Sequence, residues 1–524
     1  MAFLEMKNIT KTFPGVVAND NVDFSVEKGE IHALLGENGA GKSTLMNILY
    51  GLYRHSSGEI LLRGEAVDIK DPKAAIDLGI GMVHQHFMLI PALTAVENVI
   101  LGMKNKQILD LNKSARELEE LAAGYGMKID PFAKVWQLSV GQQQRLEIIK
   151  ALHRGAELLI LDEPTAVLTP QEVGELFGMI RQLTAEGHTV IFITHKLAEV
   201  MEICDRCTVL RMGKLEATVN ISDIKDKQEL ARLMVGRDVE LTMDKEPPNL
   251  GESVLSVEGL NAKSNKGLSA LNDVTFDLRR GEILGVAGVD GNGQSELIEC
   301  LTGLRKVESG RVLIKGVEVE NFCPRRILEQ QVSHIPEDRH KSGMLKDMSI
   351  KENMILMSYY KKPYSKMGFL RWKWIAQHVT EICNSFSVKT PSIEEMAGKL
   401  SGGNQQKFVV GREIDRNPDL LIAMHPSRGL DIGATKYIQS RILEERNNGT
   451  AVLLVSTELD EVIELSDRIM VMYEGDIVGI LDASEASREK IGAMMAGAAE
   501  EANSHSLCPA SHLSAPVSMI SRIL

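Results

Sequence analysis

The segment GENGAGKS, residues 36–43, places three glycines, a lysine and a serine at spacings that suit phosphate binding. Gly36, Gly39 and Gly41 let the backbone turn so that successive N–H groups converge on phosphate oxygens. Glu37, Asn38 and Ala40 complete the loop, and Thr44 follows it. Lys42 would reach the β- and γ-phosphates, and the Ser43 hydroxyl would ligate Mg²⁺. The loop lies between a predicted strand, EIHALLG, and a predicted helix, GKSTLMNILYGL, whose N-terminal dipole favours an anion. A second segment, LLILDEPTAVLT at 158–169, ends an apolar run in Asp162 and Glu163. A buried strand of this kind would carry Asp162 towards Ser43 and the metal. It would leave Glu163 facing a water beyond the γ-phosphate. Phosphoryl transfer to water is the chemistry this set can perform.

The elements that must position these residues occur twice. KGEIHALLGENGAGKSTLMNILYGL at 28–52 matches RGEILGVAGVDGNGQSELIECLTGL at 280–304, 252 positions later. QLSVGQQQR at 137–145 matches KLSGGNQQK at 399–407, and LLILDEPTAVLT matches LLIAMHPSRGLD at 420–431, both 262 positions later. The copies are therefore collinear, with ten extra residues in the second copy between about 338 and 399. The first unit spans 1–240, a proline-bearing joint 241–253, and the second unit 254–498. The tail 499–524, rich in Ser, Ala and Pro, is expected to lack fixed structure. Within each unit, short β-branched runs alternate with longer helical patterns, which predicts α/β domains with buried parallel strands.

Bulk properties narrow the class. A chain of 524 residues is too long for one core, and 44% hydrophobic with 25% charged residues is ordinary for a globular protein. No apolar run approaches the roughly 20 residues of a membrane span, and MAFLEMKNITKTF lacks the features of a secretory signal. Cys204 and Cys207 form a CxxC with no second pair, so neither a zinc site nor a disulfide framework is expected. The net charge of −13 argues against nucleic acid as the main partner. A cytoplasmic protein is expected.

LSVGQQQR and LSGGNQQK resemble the signature motif of ATP-binding cassette (ABC) ATPases, and the resemblance covers the chain to about 498. It implies that each unit has a RecA-like core, an antiparallel β subdomain and a helical subdomain. It also implies head-to-tail pairing, with each ATP held between one unit's phosphate loop and the other's signature loop. By the same resemblance Gln85 of MVHQHF is the Q-loop glutamine near the metal, His195 of FITH the switch histidine near the γ-phosphate, and Phe13 of KTFPG the adenine-stacking ring. Site one would then take Phe13, the loop from Gly36 to Thr44, Gln85, Asp162, Glu163 and His195 from the first unit. Ser401, Gly402, Gly403 and the D-loop aspartate Asp431 would come from the second.

Site two would receive the substitutions. Gln294 replaces Lys42 while Ser295 remains, Glu337 replaces Gln85, Met424 and His425 replace Asp162 and Glu163, and Thr457 replaces His195. Residues 260–272 contain no aromatic, the signature reads Ser-Val-Gly, and Thr169 stands at the D-loop aspartate. A unit charge pair at about 4 Å contributes about 4 kcal/mol at an effective dielectric near 20. Losing the lysine and the metal carboxylate therefore removes several kcal/mol from Mg-ATP binding, and hydrolysis is expected at site one alone. His425 is expected to cap its strand end.

Fused pairs with one degraded site resemble the ATPases of bacterial importers for simple sugars and nucleosides. GMVHQHFMLIPALTAVENVILG (81–102) and GVAGVDGNGQSELIE (285–299) are similar to the nucleoside branch. That resemblance implies two integral membrane permease subunits, an external solute-binding lipoprotein acting through them, and a peripheral position on the cytoplasmic face of the membrane. The segment YYKKPYSKMGFLRWKW (359–374) interleaves aromatics with cations, and no acid occurs from 354 to 380. It reads equally as a contact with permease or anionic headgroups and as an amphipathic face. The rival function is a soluble twin-cassette ATPase acting on ribosomes or nucleic acid. A long charged linker, a second intact site or several CxxC pairs would favour the rival, and this chain has none of them.

Overall fold

The computed structural model describes residues 2–85, 87–102, 110–166, 168–236, 243 and 245–497. The tail expected at 499–524 lies outside the described residues. In the first unit the strand Ile31–Gly36 is buried along its whole length. It pairs in parallel with Thr189–Thr194 on one side and Arg206–Arg211 on the other. Leu158–Asp162 and then Ile80–Val83 extend the parallel sheet, and Lys214–Asn220 closes the far edge antiparallel. Leu158, Leu159, Ile160 and Leu161 are inaccessible to solvent, each contributing about 2 kcal/mol by burial. Strands covered on both faces cannot alternate polar and apolar residues, which is why these runs are continuous. The parallel strands share one direction, so the loops after Gly36, Asp162 and Thr194 open at the same end of the sheet, where α/β proteins build their sites.

A four-stranded antiparallel sheet, with Ala2–Phe13 and Val16–Glu27 as its long hairpin, lies beside this core. A helical layer consists of Ala95–Ile100, Leu111–Gly124 and Val140–His153. The second unit repeats the plan. Its six-stranded sheet has Ile283–Ala287 between Ala451–Val455 and Arg468–Tyr473, with Leu420–Met424 and Val332–Ile335 beyond. Its helical layer also includes the hairpin of Ser365–Lys366 and Phe369–Leu370, within the stretch that holds the ten extra residues. Lys245, from the joint, pairs with Asp467 at 3.2 Å, and Arg446 donates to the Glu246 carbonyl at 2.8 Å.

The two units meet through their sheet-end loops. Asn38 Nδ2 donates to the Leu430 carbonyl at 3.3 Å, Lys196 pairs with Glu458 at 3.2 Å, and Ile432 packs against the first unit's core. The Gln171 amide lies against the main chain of the helix Arg488–Met495.

Candidate functional site

Gly41, with φ of 100°, caps the helix Lys42–Leu49. A Cβ there would stand 2.5 Å from the Ala18 carbonyl oxygen, so only glycine fits. Gly39 is also left-handed, with open space where its side chain would be. Lys42 is buried, its ammonium donating to the carbonyls of Gly36 at 2.7 Å and Glu37 at 3.1 Å. Burial lowers its pKa, and the charges of Glu163, Asp162 and Glu37 act against that. The loop lysine and the two carboxylates at the strand end thus share one electrostatic site. Ser43 is exposed and Thr44 partly buried, in the first turn of the same helix.

Glu163 is the centre of the site. Its φ of 47° lies in the left-handed region, uncommon outside glycine and frequent at functional positions. Gln85 Nε2 donates to Glu163 Oε2 at 2.9 Å, and His195 Nδ1 lies 2.8 Å from Glu163 Oε1. Residues from three separate loops are thereby brought onto one carboxylate. Burial works to raise the Glu163 pKa. The His195 hydrogen bond and the charges of His195, Lys42 and Lys196 overcome it and hold the group below its ordinary range. Asp162 goes the other way: burial, then the Glu163 charge, pushes it up to about 6 against the pull of Lys42.

No group among the described residues donates a hydrogen bond to the Asp162 carboxylate. That leaves its oxygens open to a cation. Among the described residues no cluster of three or more His, Cys, Asp or Glu could hold a metal alone. A cation here would bind with one or two protein ligands and the oxygens of nucleotide and water, which is the habit of Mg²⁺.

Phe13 ends its strand 37% exposed. Its ring meets Tyr53 edge-on at 5.5 Å, and the Lys11 ammonium lies 5.0 Å from its centroid. Sequence reasoning missed Tyr53, because nothing in its local spacing connects it to Phe13, and missed Lys11, although it precedes Phe13 by two residues on the same strand. The second unit has a different pairing here: Thr12 and Lys263 are equivalent in strand register, the turn that follows is one residue longer, and Arg305, at the Tyr53 position, donates to Asn265 in that turn at 2.9 Å.

From the second unit, Ser401 precedes the helix Gly402–Ile414, and its hydroxyl accepts from Asn404 Nδ2 at 2.8 Å rather than from the helix backbone. A Cβ on Gly403 would lie 3.6 Å from an Asp431 carboxylate oxygen, so the signature turn rests on the D-loop. Asp431 caps the helix Ile432–Asn447, accepting from Ala434 N at 2.7 Å. Its counterpart Thr169 also caps a helix, with a hydroxyl and Glu172, so the substitution keeps the cap and loses the charge. The Asn38 contact places the first phosphate loop directly against the residue preceding Asp431.

The second unit's loop keeps the backbone and changes the groups. Gly291 and Gly293 have φ of 93° and 100°. Gln294 Nε2 donates to the Val289 carbonyl at 3.1 Å, as Lys42 does to its own loop. A cavity of ≈ 200 Å³ is lined by Gly288, Gln294, Ser295, Glu337, His425 and Thr457. His425 Nδ1 accepts from Thr457 N at 3.3 Å, and burial lowers its pKa. Glu337, at the Gln85 position, is paired with Arg428. Asp290, at the Asn38 position, has no side-chain N–H with which to repeat the contact to the opposite unit.

Two tandem α/β units, each with a glycine loop, a signature helix that opens on a serine and a strand-end acidic or histidine turn, define an ATP-binding cassette protein. The chain belongs to the family described as ABC transporter, whose profile matches residues 19–166 and 271–427, once in each unit. It is similar to the guanosine import ATP-binding protein NupO of Bacillus subtilis, at 51% identity covering 95% of this chain and 98% of that one. The nucleoside import ATP-binding protein NupA of Lactococcus lactis is 49% identical over 94% and 98% of the two chains. A putative ribose/galactose/methyl galactoside import ATP-binding protein of Hahella chejuensis is 40% identical over 93% and 94%. Like that family, the chain is an ATPase.

Proposed function

We propose that this chain energises a membrane importer for nucleosides by hydrolysing ATP at one of its two sites. The observation that carries the hydrolytic assignment is the convergence of Gln85 and His195 on Glu163. An ionised Glu163 accepts a proton from the attacking water, while Gln85 and His195 hold the carboxylate in orientation. Lys42 exchanges its loop carbonyls for β- and γ-phosphate oxygens, and the N–H groups around Gly39 face the same phosphates. Ser43, Asp162 and Gln85 would hold Mg²⁺, which supplies charge neutralisation at the phosphates. Phe13, flanked by Tyr53, supports the adenine. Ser401, Gly402, Gly403 and Asp431 complete the site from the second unit.

The second site has no cation at Gln294, no carboxylate at Met424 or His425, and no aromatic platform. We read it as a clamp that holds the units together without turnover. The choice of nucleosides over sugars rests on the two most similar relatives quoted above.

Among the described residues no helix is long and apolar enough to cross a membrane. The import ATP-binding relatives support a reading in which the chain acts through permease subunits on the cytoplasmic face, and the external lipoprotein acts through them in turn. Near the Gln85 loop, a cavity of ≈ 160 Å³ lined by Tyr50, His84, Met88 and Glu147 supports a docking face there, as do the exposed Phe132 and Trp136. In the second unit the segment 359–374 is a hairpin leading into a helix, with Met367 and Phe369 90% and 80% exposed at its tip. The test is co-purification with a permease pair, followed by ATP-dependent nucleoside uptake into vesicles. Loss of uptake in Glu163→Gln supports the reading; unchanged uptake refutes it.

A further inference from the structure

Several contacts tie the Glu163 turn to the His195 turn. The two side chains meet at 2.8 Å. Two residues beyond Glu163, the Thr165 hydroxyl donates to Glu199 at 2.6 Å; just before His195, the Thr194 hydroxyl donates to the same carboxylate at 3.2 Å. Lys196 closes this ring. Its N–H donates to Thr194 Oγ1 at 3.0 Å, and its ammonium lies 3.9 Å from Glu199. A shorter contact of that ammonium comes from the other unit: Glu458, at 3.2 Å.

Lys196 and Glu458 are equivalent positions, 262 apart, and follow His195 and Thr457 respectively. Their local geometry is also equivalent, since Glu458 N donates to Ser456 Oγ at 3.1 Å. Equivalent residues near a twofold axis meet each other, so two identical units would bring like charges together here. The fused chain places opposite charges there instead, with Lys196 27% and Glu458 44% exposed. This ion pair joins the second unit to the turn that carries His195.

We infer that Lys196 and Glu458 form a positioning pair, through which the second unit holds the His195 turn against Glu163 and couples apposition of the units to hydrolysis at the first site. The inference rests on the proposed role of Glu163. Lys196 touches neither nucleotide nor water in it; it acts through the His195 turn and through its charge on the Glu163 carboxylate.

The test is a charge-reversal cycle in the full chain, Lys196→Glu, Glu458→Lys and the double reversal, with Lys196→Met and Glu458→Gln as milder variants in case a reversal impairs folding. Each single change should lower kcat about tenfold while KM for ATP moves less than about twofold. The double reversal should restore most of kcat, as coupled pairs do. The wild-type kcat should also fall with ionic strength more steeply than that of the doubly neutral chain, because a part-exposed pair is screened. Single variants with wild-type kcat would overturn the inference. So would a double reversal that regains thermal stability but not kcat, which would make the pair an assembly contact. Glu163→Gln is measured alongside: hydrolysis surviving that change would refute the Glu163 assignment itself, separately from the pair.

Discussion

Glu163 and His425 occupy the same strained turn in the two units, with φ of 47° and 46°. Each backbone N–H donates to the adjoining strand, to Ile193 at 2.9 Å and to Val455 at 2.7 Å. The scaffold has kept its strain while the side chain changed partners. Glu163 is bonded by Gln85 and His195, whereas His425 turns back onto the main chain at Thr457.

From this asymmetry, Glu163→Gln should reduce steady-state hydrolysis by about 10²–10⁴, the usual contribution of a general base, with ATP still bound. His425→Ala should leave the rate within about twofold. Phosphate-release assays on both variants decide it, and equal losses would contradict the assignment of one hydrolytic site.

Lys42→Met should weaken ATP binding by roughly two orders of magnitude, because a charge facing phosphate in a site of reduced dielectric contributes several kcal/mol. Gln294→Lys should not create a second hydrolytic site, since Met424 and His425 still supply no carboxylate. Turnover counted per mole of protein would expose a gain if one occurred.

For the base platform, Phe13→Ala should raise the ATP dissociation constant about tenfold, in line with stacking worth about 1–3 kcal/mol. Tyr53→Ala should have a smaller effect, since it supports the Phe13 ring edge-on rather than replacing it. In the proposed site both rings address only the base, so inorganic triphosphate binding should be unaffected by both changes.

Asp162, pushed up to about 6 by burial, sets a pH dependence. A proton competes with a cation for this carboxylate, so apparent Mg²⁺ affinity in the presence of ATP should fall as pH drops through about 6. Calorimetric titrations across roughly pH 5–8 measure it. For folding the sign is reversed. A carboxyl whose pKa is higher in the folded chain than in the unfolded one adds stability in acid, and that stability is lost as pH rises through about 6. Asp162→Asn should therefore raise the melting temperature of the ligand-free chain more at roughly pH 8 than at pH 5.

Much of this was legible before any coordinates. The repeat offsets, the glycine loop and the apolar runs ending in Asp162–Glu163 or Met424–His425 depend on local pattern: period, glycine placement and what a buried strand can carry. They determined the α/β class and the duplication, while the sorting of residues into a complete and an incomplete set came from the resemblance to ABC ATPases. Three features needed the packed chain. Tyr53 reaches Phe13 only because the helix exit and the antiparallel sheet lie side by side. Gln85 and His195 bond to Glu163 because parallel strands bring separate loops to one end of the sheet. The Asn38–Leu430 and Lys196–Glu458 contacts exist only where two units dock face to face. Sequence periodicity specifies which face of an element is buried. It carries no information about which residue of a distant element stands opposite, and that choice belongs to tertiary packing.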